Sequence, residues 1–218
     1  MSNFDIAIID LGLGNLFSVQ QACEHLGLKS KLTSSPEDLK AAKGIILPGV
    51  GAFKKAMENL KELNLILPLQ EEAKNGKPFF GICLGMQLLF SHSLEHGKTE
   101  GLNLIEGSVE PFKKKLDDGT KVRVPLTSWR QTKLNENQDK KGTPLEPLAD
   151  LEYMYYVHSY YCQPKQDEFI LSTSSYAGVK YCSSILKDNI FGTQFHPEKC
   201  GEVGLAVYRK WAEKINRN

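Results

Sequence analysis

The N-terminal half of the chain alternates short apolar runs with stretches in which apolar residues recur every three or four positions. The apolar runs occupy residues 4–10, 44–48 and 78–82. Each has the length and composition of a strand buried on both faces, and helical periodicity follows, most clearly between Leu16 and Leu26. Buried strands that alternate with helices predict an α/β fold of three layers, an open and largely parallel sheet with helices on both faces.

Beyond about residue 100 the pattern changes to aromatic and β-branched segments separated by turn residues, which predicts an antiparallel C-terminal portion. Asp188 and Asn189 are expected to form a hairpin turn. The polar stretch 131–147, with its two prolines, predicts an exposed loop. Residues 201–215 place apolar side chains four apart and predict a closing amphipathic helix. No composition break divides the chain, so we expect a single domain over residues 1–218.

Composition narrows the functional classes. The chain has 218 residues, and its 27 lysines and arginines nearly balance 26 acidic residues, so charge favours neither nucleic acid nor a membrane surface as a partner. No apolar run is long enough to span a bilayer, and the first residues do not resemble a signal peptide. The five cysteines are scattered and form no Cys-x-x-Cys pair. A disulfide framework or structural zinc site is therefore not expected, and a reduced, cytoplasmic protein is.

One cysteine stands out by its position. Cys83 follows the predicted strand 78–82, precedes a helical pattern and lies between Gly81 and Gly85. Glycines permit the tight strand-to-helix turn that presents a nucleophile in hydrolases of the Gly-x-Ser-x-Gly type. The same three residues also fit a buried structural cysteine whose neighbouring glycines only allow a helix to pack closely on the sheet. The motif alone leaves both interpretations open.

A cysteine nucleophile needs a base, and the base needs a group that orients it. His196 ends an apolar segment and begins His196-Pro197-Glu198. A spacing of two residues can place the carboxylate against one ring nitrogen while the other faces a thiol. The glycine-rich loop 48–51 follows a buried strand and could turn peptide N–H groups towards a developing oxyanion, although by itself it is better explained as a simple turn.

Together these segments resemble the class I (triad) glutamine amidotransferases, and among them the glutaminase subunits of imidazole glycerol phosphate synthase. The resemblance covers essentially the whole length. It rests on five motifs, which are Asp10–Asn15, Pro48–Phe53, Gly81–Gln87, Val157–Tyr160 and Gln194–Lys199.

This resemblance implies roles for individual residues. Cys83 would attack the side-chain amide of L-glutamine, His196 would move the proton, and Glu198 would orient His196. The backbone N–H groups of Val50 and Leu84 would form the oxyanion hole. The implied glutamine-binding residues are Gly49, Gly51, Gln87, His158, Ser159 and Tyr160. Residues implied to face the partner are Asn15, Trp129, Arg130 and Lys199.

The resemblance also implies a partner and a pathway. Ammonia would pass to a (β/α)8-barrel synthase subunit, giving a heterodimer that makes imidazole glycerol phosphate and an aminoimidazole carboxamide ribotide in histidine biosynthesis. Neither a metal nor an organic cofactor is implied. The chain departs from the family pattern at Leu11, Leu126, Ser128, Arg130 and Cys200, three of them in a segment that faces the synthase in the family.

Three alternatives remain open at this point. A paralogue could supply ammonia for amidation of a cell-surface sugar. A stress-chaperone or peptidase with a cysteine elbow would have a similar motif around Cys83 but usually lacks His-Pro-Glu near the C-terminus. A non-catalytic binding module could keep the fold, although retention of Cys83, His196 and Glu198 together argues against it.

Overall fold

The computed structural model describes residues 3–14 and 16–215. The α-helices within these ranges are α1 Leu16–His25, α2 Pro36–Ala41, α3 Phe53–Glu62, α4 Ile66–Lys74, α5 Leu84–Leu88 and α6 Gly201–Ala212. The strands are β1 Ile6–Ile9, β2 Ser30–Thr33, β3 Gly44–Gly49, β4 Phe79–Cys83, β5 Phe90–Ser93, β6 Thr99–Glu100, β7 Ile105–Pro111, β8 Leu126–Leu134, β9 Leu151–His158, β10 Tyr160–Pro164, β11 Ile170–Tyr176, β12 Val179–Lys187 and β13 Ile190–Thr193. Short 3₁₀ turns occupy Asp167–Phe169 and Pro197–Lys199.

All these strands belong to one branched sheet. Its parallel part has the order β2-β1-β3-β4-β13. The antiparallel strand β12 follows β13, and the sheet divides there. One branch continues through β10, β7, β5 and β6, and the other through β11, β8 and β9. The parallel N-terminal half and the antiparallel C-terminal portion are therefore both as predicted.

The central parallel strands are buried on both faces, as their continuous apolar sequence predicts. Successive side chains of a strand point to opposite faces, and here they enter two different cores. On one face Ile9, Leu47 and Phe79 pack with residues of α3 and α4. On the other, Ile8 and Phe80 pack with residues of α1 and α6. The sheet is thus the middle of three layers, which confirms the predicted fold class.

The C-terminal helix and the last hairpin also follow their sequence patterns. In and just beyond α6, Val207, Trp211 and Ile215 are buried against the second core. The hairpin pairs Lys187 with Ile190, and Asp188 adopts a φ of 54°, a conformation that aspartate tolerates in tight turns. None of the described helices is both long and apolar enough to cross a membrane.

The prediction of an exposed loop over 131–147 is wrong in part. Residues 131–134 belong to β8, and Leu145 is buried in the second core, as is Leu148 just beyond the predicted range. These two leucines anchor the loop to the core. The sequence pattern does not reveal them, because they stand among prolines and lysines. The strand β2 was also missed, because it is four residues long and mostly exposed, and its sequence carries no apolar run.

Candidate active site

The predicted chemical residues meet at the carboxyl ends of the parallel strands. In the sheet register Gly49 of β3 lies beside Cys83 of β4, and Thr193 of β13 lies beside Ile82. The chain leaving β13 therefore carries His196 towards the edge where Cys83 is presented. Ligands of open α/β sheets bind at this edge, because the loops that follow the strands converge there.

Cys83 occupies a sharp elbow between β4 and α5. Its φ is 55° and its ψ is −110°, a combination of backbone angles that residues other than glycine rarely adopt. A Cβ atom on Gly85 would lie 1.6 Å from the carbonyl oxygen of Leu47, so α5 can approach β3 only with glycine there. The glycines therefore do serve close packing, and that packing holds the cysteine in a strained conformation.

His196 is held from both sides. Its Nδ1 lies 2.7 Å from Oε1 of Glu198, and the two side chains are 5% and 4% exposed. Its backbone N–H donates to the carbonyl oxygen of Tyr155 at 3.0 Å. Burial by itself would lower the pKa of His196, but Cys83 and Glu198 outweigh burial and raise that pKa from 6.5 to about 10. The imidazole is thus oriented by Glu198 and interacts electrostatically with Cys83.

The sulfur of Cys83 is enclosed by polar groups. The side chain is 4% exposed, and its thiol donates to the carbonyl oxygen of Val157 at 3.7 Å. From another side, Nε2 of Gln194 donates to the sulfur, also at 3.7 Å. Gln194 belongs to the motif Gln194–Lys199, but the sequence alone assigns it no role. Its position two residues before His196 was the available signal.

Three of the predicted glutamine-binding residues are linked through one backbone oxygen. Nε2 of Gln87 donates to the backbone carbonyl of Tyr160 at 3.0 Å, and Nδ1 of His158 lies 2.8 Å from the same oxygen. Burial lowers the pKa of His158 from 6.5 to about 4, so this imidazole is neutral at pH 7. The carbonyl of Ser159, between them, accepts a hydrogen bond from the backbone N–H of Phe112.

The predicted oxyanion loop lies directly beside the elbow. Val50 follows the residue paired with Cys83, and Leu84 follows Cys83 itself, so the two N–H groups belong to neighbouring strand ends. A Cβ on Gly49 would lie 3.3 Å from Cβ of Leu84, which shows how closely these segments approach. Gly51 has a φ of 103°, a conformation open to glycine.

A cavity of about 50 Å³ opens at this edge and is lined in part by Val50, Val157 and His196.

The described residues include no group of three His, Cys, Asp or Glu side chains that could hold a metal ion.

The residues predicted to face a partner separate into two sets. Trp129 is 50% exposed and packs edge-on against Tyr155, with ring centroids 5.8 Å apart. The ammonium group of Lys199 lies 5.5 Å from the centroid of the same tyrosine ring. Arg130 points to the other side of β8 and stacks on Tyr176 at 5.0 Å. Asn15 lies outside the described residues.

Comparison with known proteins assigns the family. The sequence profile described as glutamine amidotransferase class-I matches residues 7–210. This chain therefore belongs to the class-I glutamine amidotransferase family. A solved structure titled as a glutamine amidotransferase superposes with a TM-score of 0.72 at 16% identity, covering 97% of this chain and 98% of its own. PurLQS from Thermotoga maritima gives 0.72 at 19%, covering 96% and 98%. At these identities the superpositions show a shared fold.

Curated relatives narrow the assignment within the class. Each of the following is described as imidazole glycerol phosphate synthase subunit HisH. The protein of Geobacter metallireducens is 40% identical over 208 residues, which are 95% of this chain and 97% of the relative. Those of Listeria monocytogenes and Listeria innocua are 44% and 45% identical, each covering 95% of both chains. Within its class, this chain is a member of the HisH family.

Proposed function

We propose that this chain hydrolyses L-glutamine to L-glutamate and ammonia through a thioester on Cys83. The observation that carries the proposal is the pairing of a strained cysteine elbow with an imidazole held 2.7 Å from a buried carboxylate. A nucleophile, a base coupled to it and a group orienting that base are the three parts of a triad. A purely structural cysteine needs neither the strain nor the oriented imidazole.

The proposed reaction begins when His196 accepts the thiol proton and the sulfur attacks the side-chain amide carbon of glutamine. The amide oxygen becomes an oxyanion, which the N–H groups of Val50 and Leu84 stabilise. When this intermediate collapses, the C–N bond breaks and the nitrogen takes the proton from His196, leaving as ammonia. The interaction of His196 with Glu198 supports the cationic imidazolium that the first step creates.

Hydrolysis of the thioester completes the cycle. His196 accepts a proton from water as the water oxygen attacks the thioester carbonyl, and Cys83 leaves with that proton as a thiol. Glutamate then dissociates. Gly49, Gly51, Gln87 and the segment 158–160 are the residues we assign to holding the glutamine. Every atom is supplied by glutamine, water and this chain, so the proposed reaction uses no cofactor.

We further propose that the ammonia passes to a (β/α)8-barrel synthase subunit, which forms imidazole glycerol phosphate and an aminoimidazole carboxamide ribotide in histidine biosynthesis. The names of the relatives support this partner, and so does the surface of Trp129, Tyr155 and Lys199, whose tyrosine ring lies beside His196. Exposed aromatic residues are enriched at protein interfaces. In this proposal the chain acts in the cytoplasm as a single glutaminase domain.

The decisive assay follows two products at once. The chain is mixed with the barrel subunit of its own organism, and glutamate and imidazole glycerol phosphate are measured, with Cys83→Ala as the control. We expect both products from the wild-type complex and neither from the variant supplied with glutamine. Glutamate without imidazole glycerol phosphate would favour the sugar-amidation paralogue. Absence of glutamate under all conditions would refute the glutaminase proposal and leave the chaperone, peptidase or binding-module alternatives.

A further inference from the structure

A chain of hydrogen-bonded amides lies behind the sulfur of Cys83. Gln194 is fully buried and Gln87 is 6% exposed. Nε2 of Gln87 donates to the backbone carbonyl of Tyr160 and to Oε1 of Gln194, both at 3.0 Å. Nε2 of Gln194 then donates to the sulfur of Cys83 at 3.7 Å. Burying two amides is costly unless both are well hydrogen-bonded, whereas apolar side chains would fill the same space without that cost.

The direction of these hydrogen bonds is fixed at one end. A backbone carbonyl can only accept, so Gln87 must turn its nitrogen towards Tyr160. The same nitrogen reaches Gln194, which must therefore present its oxygen to Gln87. The nitrogen of Gln194 is left facing the sulfur. The orientation of an amide at the nucleophile is thus set by a main-chain oxygen in the glutamine-binding segment.

The two close polar neighbours of the sulfur have opposite preferences. The carbonyl of Val157 accepts from the thiol and would repel a thiolate, whereas the amide of Gln194 donates and would stabilise a thiolate. The titratable groups that also act on the sulfur are His196, which follows β13, and Cys162, which lies on β10. His158 on β9 acts on His196 and is neutral at pH 7.

We propose that Gln194 is a further catalytic residue, which donates a hydrogen bond to the Cys83 thiolate and is held in that orientation by Gln87. This role rests on the proposed glutaminase function. In this role the side-chain N–H of Gln194 donates a hydrogen bond to the sulfur, while His196 accepts and returns the proton. Substrate contacts at Gln87 and Tyr160 are thereby linked through one amide to the reactivity of the nucleophile.

Two substitutions separate this role from simple packing. Gln194→Glu keeps the shape and the oxygen that accepts from Gln87, but it replaces the donor facing the sulfur with a negative charge. Gln194→Met keeps approximate volume and removes both hydrogen bonds. Gln163→Leu, at an exposed glutamine of β10, is the matched control. The rate of Cys83 alkylation by iodoacetamide is measured against pH by peptide mass spectrometry, together with kcat and KM for glutamine.

We expect the pH midpoint of Cys83 alkylation to rise by about one unit in both Gln194 variants, more in Gln194→Glu, and to stay unchanged in Gln163→Leu. In Gln194→Glu, kcat should fall about 10- to 100-fold, as for the loss of a hydrogen bond to a charged group, with KM nearly kept. In Gln194→Met, KM should rise as well, because Gln87 loses its partner.

An alkylation profile of Gln194→Glu that superimposes on the wild type would overturn the proposal, and so would a loss confined to KM. If Gln194→Glu does not fold, as judged by circular dichroism, the same profile in Gln194→Met decides. Alkylation needs no substrate, so the role of Gln194 at the thiolate is tested even in a chain without glutaminase activity. Failure of the wild type to release glutamate would instead count against the proposed function.

Discussion

The backbone strain at Cys83 can be measured by comparing two variants that both lack the sulfur. In Cys83→Ala the side chain keeps a Cβ at a φ of 55° and a ψ of −110°, whereas Cys83→Gly removes it. Strain of this kind costs about 1–3 kcal/mol. Glycine loses roughly 0.5–1 kcal/mol through its freer unfolded chain. We therefore expect the glycine variant to be more stable than the alanine variant, by up to about 2.5 kcal/mol.

The assay is urea unfolding followed by far-ultraviolet circular dichroism, with free energies of unfolding taken from the midpoints. Ala206→Gly in α6 provides the control, because it makes the same chemical change in a regular helix. There glycine should destabilise the protein by about 1 kcal/mol. If the change from alanine to glycine at position 83 is destabilising by a similar amount, the elbow stores no strain and the reasoning is refuted. The opposite sign at the two positions would show that the fold holds residue 83 in a conformation that its backbone does not prefer.

Other predictions concern the triad, the buried histidine and the exposed aromatic surface. His196→Asn should lower glutaminase kcat by about 10²–10⁴-fold, and Glu198→Gln should lower it less, because proton transfer outweighs orientation; a larger loss in Glu198→Gln would reverse the assigned roles. Because the pKa of His158 is lowered in the folded protein, the unfolded protein binds a proton at this residue first as pH falls. The free energy of unfolding of the wild type should therefore drop by about 2–3 kcal/mol more than that of His158→Asn between pH 6.5 and pH 4. Parallel plots of this free energy against pH would contradict the prediction. Trp129→Ala should weaken binding of the barrel subunit by about 10-fold or more in calorimetry, whereas Leu67→Ala, at an exposed leucine of α4, should not; equal affinities would remove Trp129 from the interface.

The parallel half of the fold could be predicted because its strands carry their own signal. Runs such as 44–48 are apolar at every position, and only burial on both faces explains that pattern. The order of strands in the sheet could not be predicted this way, since β13 joins β4 from more than a hundred residues away. Nor could the anchors Leu145 and Leu148, because two leucines among prolines and lysines show no period.

The candidate site was predictable where the chemistry is local in sequence. Cys83 with its glycines, and His196 with Glu198, are each contained in a few residues. The amide chain of Gln87 and Gln194 is not, since it joins side chains 107 positions apart directly, and the carbonyl of Tyr160 orients the first of them. A main-chain oxygen leaves no mark in a sequence, so the direction of that chain of hydrogen bonds can be seen only in the structure.

The departures from the family pattern are buried or half-buried and do not share the surface proposed to meet a partner. Along β8 side chains alternate between faces, so Leu126, Ser128 and Arg130 share the side opposite Trp129. Leu126 is 2% exposed, and Arg130 stacks on Tyr176.

Leu11 and Cys200 are buried too, and the thiol of Cys200 donates to the carbonyl of His196 at 3.1 Å. A positive charge at Arg130 therefore gives no reason to expect an acidic counterpart on the partner. The alternation of side chains along β8 was present in the sequence. It places Leu126, Ser128 and Arg130 on the side opposite Trp129 and Tyr155. The departures therefore do not argue against the synthase partner that the relatives' names suggest.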